Sequence, residues 1–368
     1  MLSFESTATK KTETSMVRDD PRDHDLFRLS STLMNGAPQK TLPFRPPRVT
    51  IKPDVTLEAP GMIQEAKLTL VDCSSDGSMV VALRNDVYLW KEGDAKKLDI
   101  QGDPFSCVRF SENGEYIALG QRECCQIVET KTGELVQDYF NYSGYVTAFA
   151  WRGTILLSAG VRGIVRQDAL AWFSLPSTYQ GHKENAQIHT LEWHSNTIVS
   201  AGNDDLINVY DANETGADIK PLHTMEHEDV SCVAYSPGHP NTLVSAGDKG
   251  LCFWNIQNGL LRGTIETEER AVGAMILNDD NPNEILVAHG NMLTIWNFYP
   301  KVMKVSEASI LGGNGKIISL ARGTTKGEFI VATSDEELTM LTIQREPSGK
   351  KRVKESNLFG GLRMQVIR

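Results

Sequence analysis

The sequence predicts an all-β protein: a propeller of seven blades with an extension at each end. Three observations carry this reading. Short alternating apolar segments recur at a steady interval, and the stretches between them are rich in turn formers. The composition, with Gly 30, Pro 15 and 7% aromatic residues, suits turns better than long helices. A chain of 368 residues, 40% of them apolar, is enough for one large core or two ordinary ones.

The recurring segments close on an aromatic or apolar residue, often followed by Asp or Asn. In chain order they read "VYLW", "CQIV", "IVRQD", "INVYD", "LCFWN", "LTIWN" and "LTML". Taking Trp90, Val128, Gln167, Tyr210, Trp254, Trp296 and Leu341 as equivalent positions gives spacings of 38, 39, 43, 44, 42 and 45. That is the period of a four-stranded WD-repeat blade, repeated seven times. Turn chemistry agrees, since "SENGEY", "SPGHPN", "NDDNPN" and "GTTKGE" lie between strand signals. The expected organisation is a flexible N-terminal extension over 1–55 with a short amphipathic segment near 25–37, a propeller over 56–345, and a basic tail over 346–368 ending in Ile-Arg.

An Asp stands six residues before the closing position in several repeats: Asp204 before Tyr210, Asp248 before Trp254, Asp335 before Leu341. In the fifth repeat His227, Ser245, Asp248 and Trp254 have the spacing of a hydrogen-bonded tetrad that braces a blade. Blade architecture accounts for these residues, so they do not propose an Asp-His-Ser hydrolase. No Gly-rich phosphate loop, paired-carboxylate motif or nucleophile elbow appears elsewhere. The expectation is a protein that is not an enzyme and uses no cofactor. The six cysteines, Cys73, Cys107, Cys124, Cys125, Cys232 and Cys252, are scattered along strand-like segments with no zinc-type spacing, and they read as reduced core thiols with no metal.

Charge is unevenly placed. Residues 1–55 hold nine Lys/Arg against seven Asp/Glu, and residues 344–368 seven against two, which leaves about −17 of the net −10 in the middle. An acidic body disfavours nucleic acid and suits recognition of basic groups. The opening "MLSFESTATKKTETSM" has no apolar run of signal-peptide length, and no later window reaches the roughly 18 apolar residues of a membrane span. The expected location is the nucleus and cytoplasm, away from membranes.

The segment before the first repeat, "PFRPPRVTIKPDVTLEAPGMIQEAKLTLVDCS", is proline-rich before it becomes strand-like. With the "VYLW" that follows, it resembles the fizzy and fizzy-related family of WD-repeat co-activators of the anaphase-promoting complex. That family has an L-D-A-P segment, then acidic and aromatic residues, then L-N-L-V-D-W-S. Further resemblances follow in order: "SGYVTAFAW", "GHKENAQIHTLEW", "SAGNDDLINVYD" and "ILVAHGNMLTIW". They cover roughly residues 43–345. Upstream, "DLFRLSSTLMNGA" looks like the family's amphipathic segment, with Leu26, Leu29 and Leu33 at helical spacing. The chain ends, as family members do, on Ile367-Arg368.

The resemblance implies a non-catalytic substrate adaptor. Ile367 and Arg368 would dock in a groove of a tetratricopeptide-repeat subunit of the ligase, through an apolar anchor, a planar guanidinium and the free carboxylate. Glu65 and Glu336 would receive the arginine of a destruction-box degron at the groove between first and last blades. Asn203 and Lys316 would read a Lys-Glu-Asn degron on the top face. Expected partners are the ligase and degron-bearing proteins such as cyclins. The chain's own Lys183-Glu184-Asn185 is read as a turn, with a self-limiting pseudosubstrate as the alternative. Family activators also carry a D-R-[FY]-I-P box, which "VRDDPRDHDLF" does not supply, and Cys73 stands where the family has tryptophan. Two alternatives therefore stand beside activation: an inhibitor or decoy of the same ligase, and a WD-repeat scaffold unrelated to it.

Overall fold

The computed structural model describes residues 49–345 together with 364–366, apart from 66, 101, 162, 172–174, 237–238, 240, 277–282, 300–301, 310–314, 324 and 326. The opening strand, β1 (Val49–Glu58), belongs to the last sheet. The first complete sheet is β2 (Val71–Cys73), β3 (Met79–Leu83), β4 (Asp86–Lys91) and β5 (Asp94–Lys97). A seven-stranded sheet follows: β6 (Cys107–Phe110), β7 (Tyr116–Gly120), β8 (Arg122–Glu129), β9 (Leu135–Arg152), β10 (Ile155–Gly160), β11 (Gly163–Asp168) and β12 (Ser177–Tyr179).

Three four-stranded sheets come next. They are β13 (Ile188–His194), β14 (Thr197–Gly202), β15 (Leu206–Asp211) and β16 (His223–Glu226); β17 (Cys232–Tyr235), β18 (Thr242–Gly247), β19 (Gly250–Asn255) and β20 (Leu260–Ile265); and β21 (Ala271–Ile276), β22 (Glu284–His289), β23 (Met292–Asn297) and β24 (Met303–Ser309). The last sheet orders β25 (Ile317–Arg322), β26 (Glu328–Thr333), β27 (Glu337–Arg345), β1 and β28 (Met364–Val366).

The protein is thus an all-β propeller, with five blade-sized sheets and one seven-stranded sheet in place of the seven separate sheets expected. The reason lies in β9. Its first part pairs with β8, Val128 opposite Leu135 through Cys124 opposite Phe140, and its last part pairs with β10, Ile155 opposite Arg152 through Gly160 opposite Val146. Gly144, at φ +82, supplies a left-handed bend between the two, so extended backbone passes from one set of strands to the next without a loop. The seven closing positions of the sequence repeat fall on β4, β8, β11, β15, β19, β23 and β27. The propeller also begins earlier than residue 56: β1 starts at Val49 and pairs with β27 from Val49 opposite Arg345 to Glu58 opposite Glu337.

Second strands are the most buried. β3, β18 and β22 are buried at every residue, because each lies between two strands of its own sheet and has sheets packed on both faces. Each Val, Leu or Ile so enclosed contributes about 1.5–3 kcal/mol. Outer strands carry no such requirement, and the four residues of β5 are all exposed. First strands face a central channel of about 520 Å³, lined from β2, β6, the second part of β9, β13, β17, β21 and β25.

Hydroxyls tie neighbouring sets of strands together at the start of these inner strands. Ser106 donates to the carbonyl of Val146, Thr147 to that of Ile188, and Ser231 to that of Ala271, each about one repeat along the chain. Glycine allows the close approach beside them. A Cβ on Gly160 would meet the Tyr145 carbonyl oxygen at 2.4 Å.

Candidate functional site

The corner between the first and last sheets is built on the β26–β27 turn. Glu336 adopts φ +62, a left-handed conformation that a β-branched residue would resist. Its backbone carbonyl accepts the Ala59 N–H at 2.7 Å, and its carboxylate accepts the Gly61 N–H at 3.1 Å. The half-buried Glu336 thereby fixes the path of the chain leaving β1. Across the same turn, the Lys316 N–H donates to the Ser334 hydroxyl at 2.9 Å, and the Ser334 N–H to the Lys316 carbonyl at 2.8 Å.

Glu65 is exposed and lines a second cavity, of about 320 Å³, with Lys67, Leu68, Gln187, His189, Asn203 and Arg270. Asn203 is locked in place: its side-chain oxygen accepts the Gln187 N–H at 2.8 Å, and its own N–H donates to the Gln187 carbonyl at 3.0 Å. This leaves the Asn203 amide group facing a polar hollow. Lys316 lies 3.7 Å from Glu269, in a largely exposed pair worth little. The structure therefore brings Glu65 and Asn203 onto one cavity wall, with Lys316 beside Arg270's neighbour Glu269, while Glu336 holds the adjoining 59–61 turn. Leu26, Leu29, Leu33, Ile367 and Arg368 lie outside the described residues.

Two residues of the cavity lining, Lys67 and Arg270, belong to a charge network that the sequence did not disclose. Asp229 receives Lys67 at 2.7 Å and Arg270 at 2.9 Å, bringing together residues far apart in the chain. Burial works to raise the Asp229 pKa, but the Lys67 hydrogen bond and both cations hold it below the ordinary carboxylate value. His189 is buried beside them with neither ring nitrogen partnered by protein. Burial, reinforced by the positive charge of Lys67 and Arg270, pushes its pKa down to about 3. Farther along the channel, Arg109 stands 3.9 Å from both Asp72 and Glu192. Burial raises both carboxyls there, with Arg109 opposing it. The site can hold a polar peptide group against a rigid, mixed-charge wall. It offers no nucleophile with an adjacent base, and among the described residues no group of three His, Cys, Asp or Glu is placed to hold a metal ion.

Three of the four bracing residues assigned from the sequence are joined by hydrogen bonds, and the aspartate is not one of them. In the sheet of β17–β20, the Ser245 hydroxyl joins His227 at 2.7 Å and the Trp254 indole N–H at 2.8 Å, while Asp248 is exposed and its backbone N–H donates to the Glu228 carbonyl. The carboxylate-bearing version sits one sheet earlier. His182 meets Asp204 at 3.0 Å and Ser200 at 2.8 Å, and Asp204 also accepts the Lys183 N–H at 2.9 Å. The signal was available in the repeated "LSAG", "VSAG" and "VSAG" and in Gly181-His182. These contacts also define the Lys183-Glu184-Asn185 turn: Lys183 Nζ donates to the Asp204 carbonyl at 3.0 Å, Asn185 has φ +62, and Glu184 and Asn185 are exposed.

A repeat family described as "WD domain, G-beta repeat" matches residues 219–255, which run from just before β16 to the end of β19. The chain is 26% identical over 325 residues to the "Anaphase-promoting complex subunit cdc20" of Dictyostelium discoideum, covering 83% of this chain and 64% of that protein. It is 25% identical over 317 residues to "Cell division cycle 20.1, cofactor of APC complex" of Arabidopsis thaliana, covering 81% and 68%. To the "B-type cell cycle switch protein ccs52B" of Medicago truncatula it is 28% identical over 343 residues, covering 88% and 68%. The chain thus spans about two thirds of these relatives' length. A chain of the "Crystal Structure of Mitotic Checkpoint Complex" shares the fold with a TM-score of 0.72 at 23% identity, covering 84% of this chain and 97% of that one. Over most of its length the chain is thus similar, at 25–28% identity, to WD-repeat proteins of the cdc20 and fizzy-related kind.

Proposed function

We propose that this protein is a substrate-recruiting co-activator of the anaphase-promoting complex, a non-catalytic adaptor that holds degron peptides on its propeller and docks on the ligase by its termini. The observation that carries this is the 25–27% identity, over more than four fifths of the chain, to proteins named as a subunit or as cofactors of that complex. The geometry suits the role. A rigid ring with a polar hollow can read short peptides, and ubiquitin transfer then gains from proximity alone. Glu336 and Glu65 are the candidate receivers of a degron arginine; Asn203 and Lys316 are candidates for a Lys-Glu-Asn degron. Ile367, Arg368 and the Leu26, Leu29, Leu33 segment are the candidate ligase contacts, a tetratricopeptide-repeat subunit taking the tail. Cyclins are candidate substrates, and the working location is the nucleus and cytoplasm. The seven-stranded sheet is best counted as two blades sharing β9, which restores seven; the 38–45 residue period and the seven channel-lining segments support that division.

The test is quantitative affinity purification of the full chain, of a form ending at Val366, and of Glu336→Ala. Ligase subunits should accompany the full chain and fall at least tenfold with the truncation. Glu336→Ala should keep the ligase and lose degron-bearing proteins. Absence of the ligase from every preparation would overturn the reading.

A further inference from the structure

We infer that the outer edge of β1 at Thr56–Glu58 is a strand-addition site and that its occupant is the chain's own C-terminal segment, Met364–Val366. The segment pairs in parallel with β1, Met364 opposite Thr56, Gln365 opposite Leu57 and Val366 opposite Glu58. An outermost strand presents unpaired N–H and C=O groups, which proteins block or cover. β1 does both. Its first half carries Lys52, Pro53 and Asp54, with a register break between Pro53 and Val55, so a second ladder on its outer edge would be interrupted there. Its second half has no proline and no register break, and that is where the tail lies.

Direction and reach fit as well. β27 ends at Arg345, opposite Val49, so the chain must return past seven residues of β1 and across two strand spacings, about 25 Å in all. Residues 346–363 could extend about 60 Å, ample for the return. The surplus positive charge of residues 344–368 draws the tail toward an acidic body. Attachment in cis gives the segment a high effective concentration at the edge, so a free peptide of the same sequence meets an occupied site. Ile367 and Arg368 follow the paired stretch directly. Any partner that grips those two residues deeply must also draw the segment off β1 and expose its edge. The strand addition itself is independent of what that partner is.

Hydrogen exchange read by mass spectrometry tests this on the full chain and on a form ending at Gly361. The amides of Thr56–Glu58 that face away from β27 should exchange at least tenfold faster in the truncated form, with β10 and β11 unchanged. The peptide GLRMQVIR added to the truncated form should restore protection. A scrambled peptide of the same composition should not, and restoration by it would assign the effect to charge and overturn a strand register. In the full chain, Gln365→Pro with Val366→Pro should mimic truncation, because alternate amides face opposite edges and one of the two must face β1. Equal exchange at Thr56–Glu58 in the full, truncated and proline forms would overturn the inference.

Discussion

His189 shows how a single position can be out of character for its neighbours. At the corresponding place in other inner strands a small hydroxyl, Ser106, Thr147 or Ser231, reaches the next set of strands. His189 has no such bond and stays neutral, its pKa pushed down to about 3 by burial and the nearby Lys67 and Arg270. The unfolded chain binds a proton at about pH 6.5 where the native chain does not, so stability rises with pH between about 3 and 6.5 and is lost on acidification. His189→Leu should therefore hold its stability within about 1 kcal/mol of the parent at pH 7.5, and should be about 1.4 kcal/mol less weakened than the parent between pH 7.5 and 5.5. Urea titrations at the two pH values measure this, and parallel losses in both proteins would refute it. Asp72 and Glu192, raised by burial, act in the opposite sense but equally in both proteins. None of this was legible in the sequence: a histidine in "AQIHTLEW" reads as one more polar residue until the ring closes and brings Lys67 and Arg270 to it.

At the scale of elements, strand identity was legible and hairpin geometry was not. The period placed a closing residue on each third strand because alternation along a half-buried strand is a local property. Counting back six residues found Asp204, which braces its sheet, and Asp248, which does not, because the count ignores turn length. The β18–β19 hairpin pairs Gly247 with Gly250 around two residues, leaving Asp248 at the exposed tip. The longer β14–β15 connection, closed by Ala201 opposite Ile207, folds Asp204 back onto His182. Burial of Asp204 would raise its pKa, but the Lys183 N–H and His182 lower it. Asp204→Ala removes an acceptor for His182 and for the Lys183 N–H and should cost about 2–3 kcal/mol. Asp248→Ala should stay within about 0.5 kcal/mol. Chemical denaturation of the two variants decides the assignment, and equal losses would count against it.

At the scale of the whole molecule, closure rests on one strand from the far end of the chain. β1 completes the last sheet by pairing with β27, nearly 300 residues away in sequence. Leu57, wholly buried in that strand, packs in the same core as Leu338 and Ala332 of the last sheet and Leu70 and Val81 of the first. The sequence could not show this, because "PPRVTIKPDV" looks like an extended linker and only its partner makes it a strand. Contacts so distant form late and are lost together, since their loop-closure entropy is recovered only when the ring is complete. Removing residues 1–48 should leave the melting temperature within about 2 °C of the full chain, because the described ring starts at Val49. Removing residues 1–58 strips β27 of its partner and uncovers Leu338. It should lower the melting temperature by well over 10 °C or give aggregated protein, as the loss of Leu57 alone is worth about 2–5 kcal/mol. Scanning calorimetry of both truncations tests it. If the shorter form melted like the full chain, the ring would have to be closed by contacts within residues 59–345, and β1 would be an ornament on its edge.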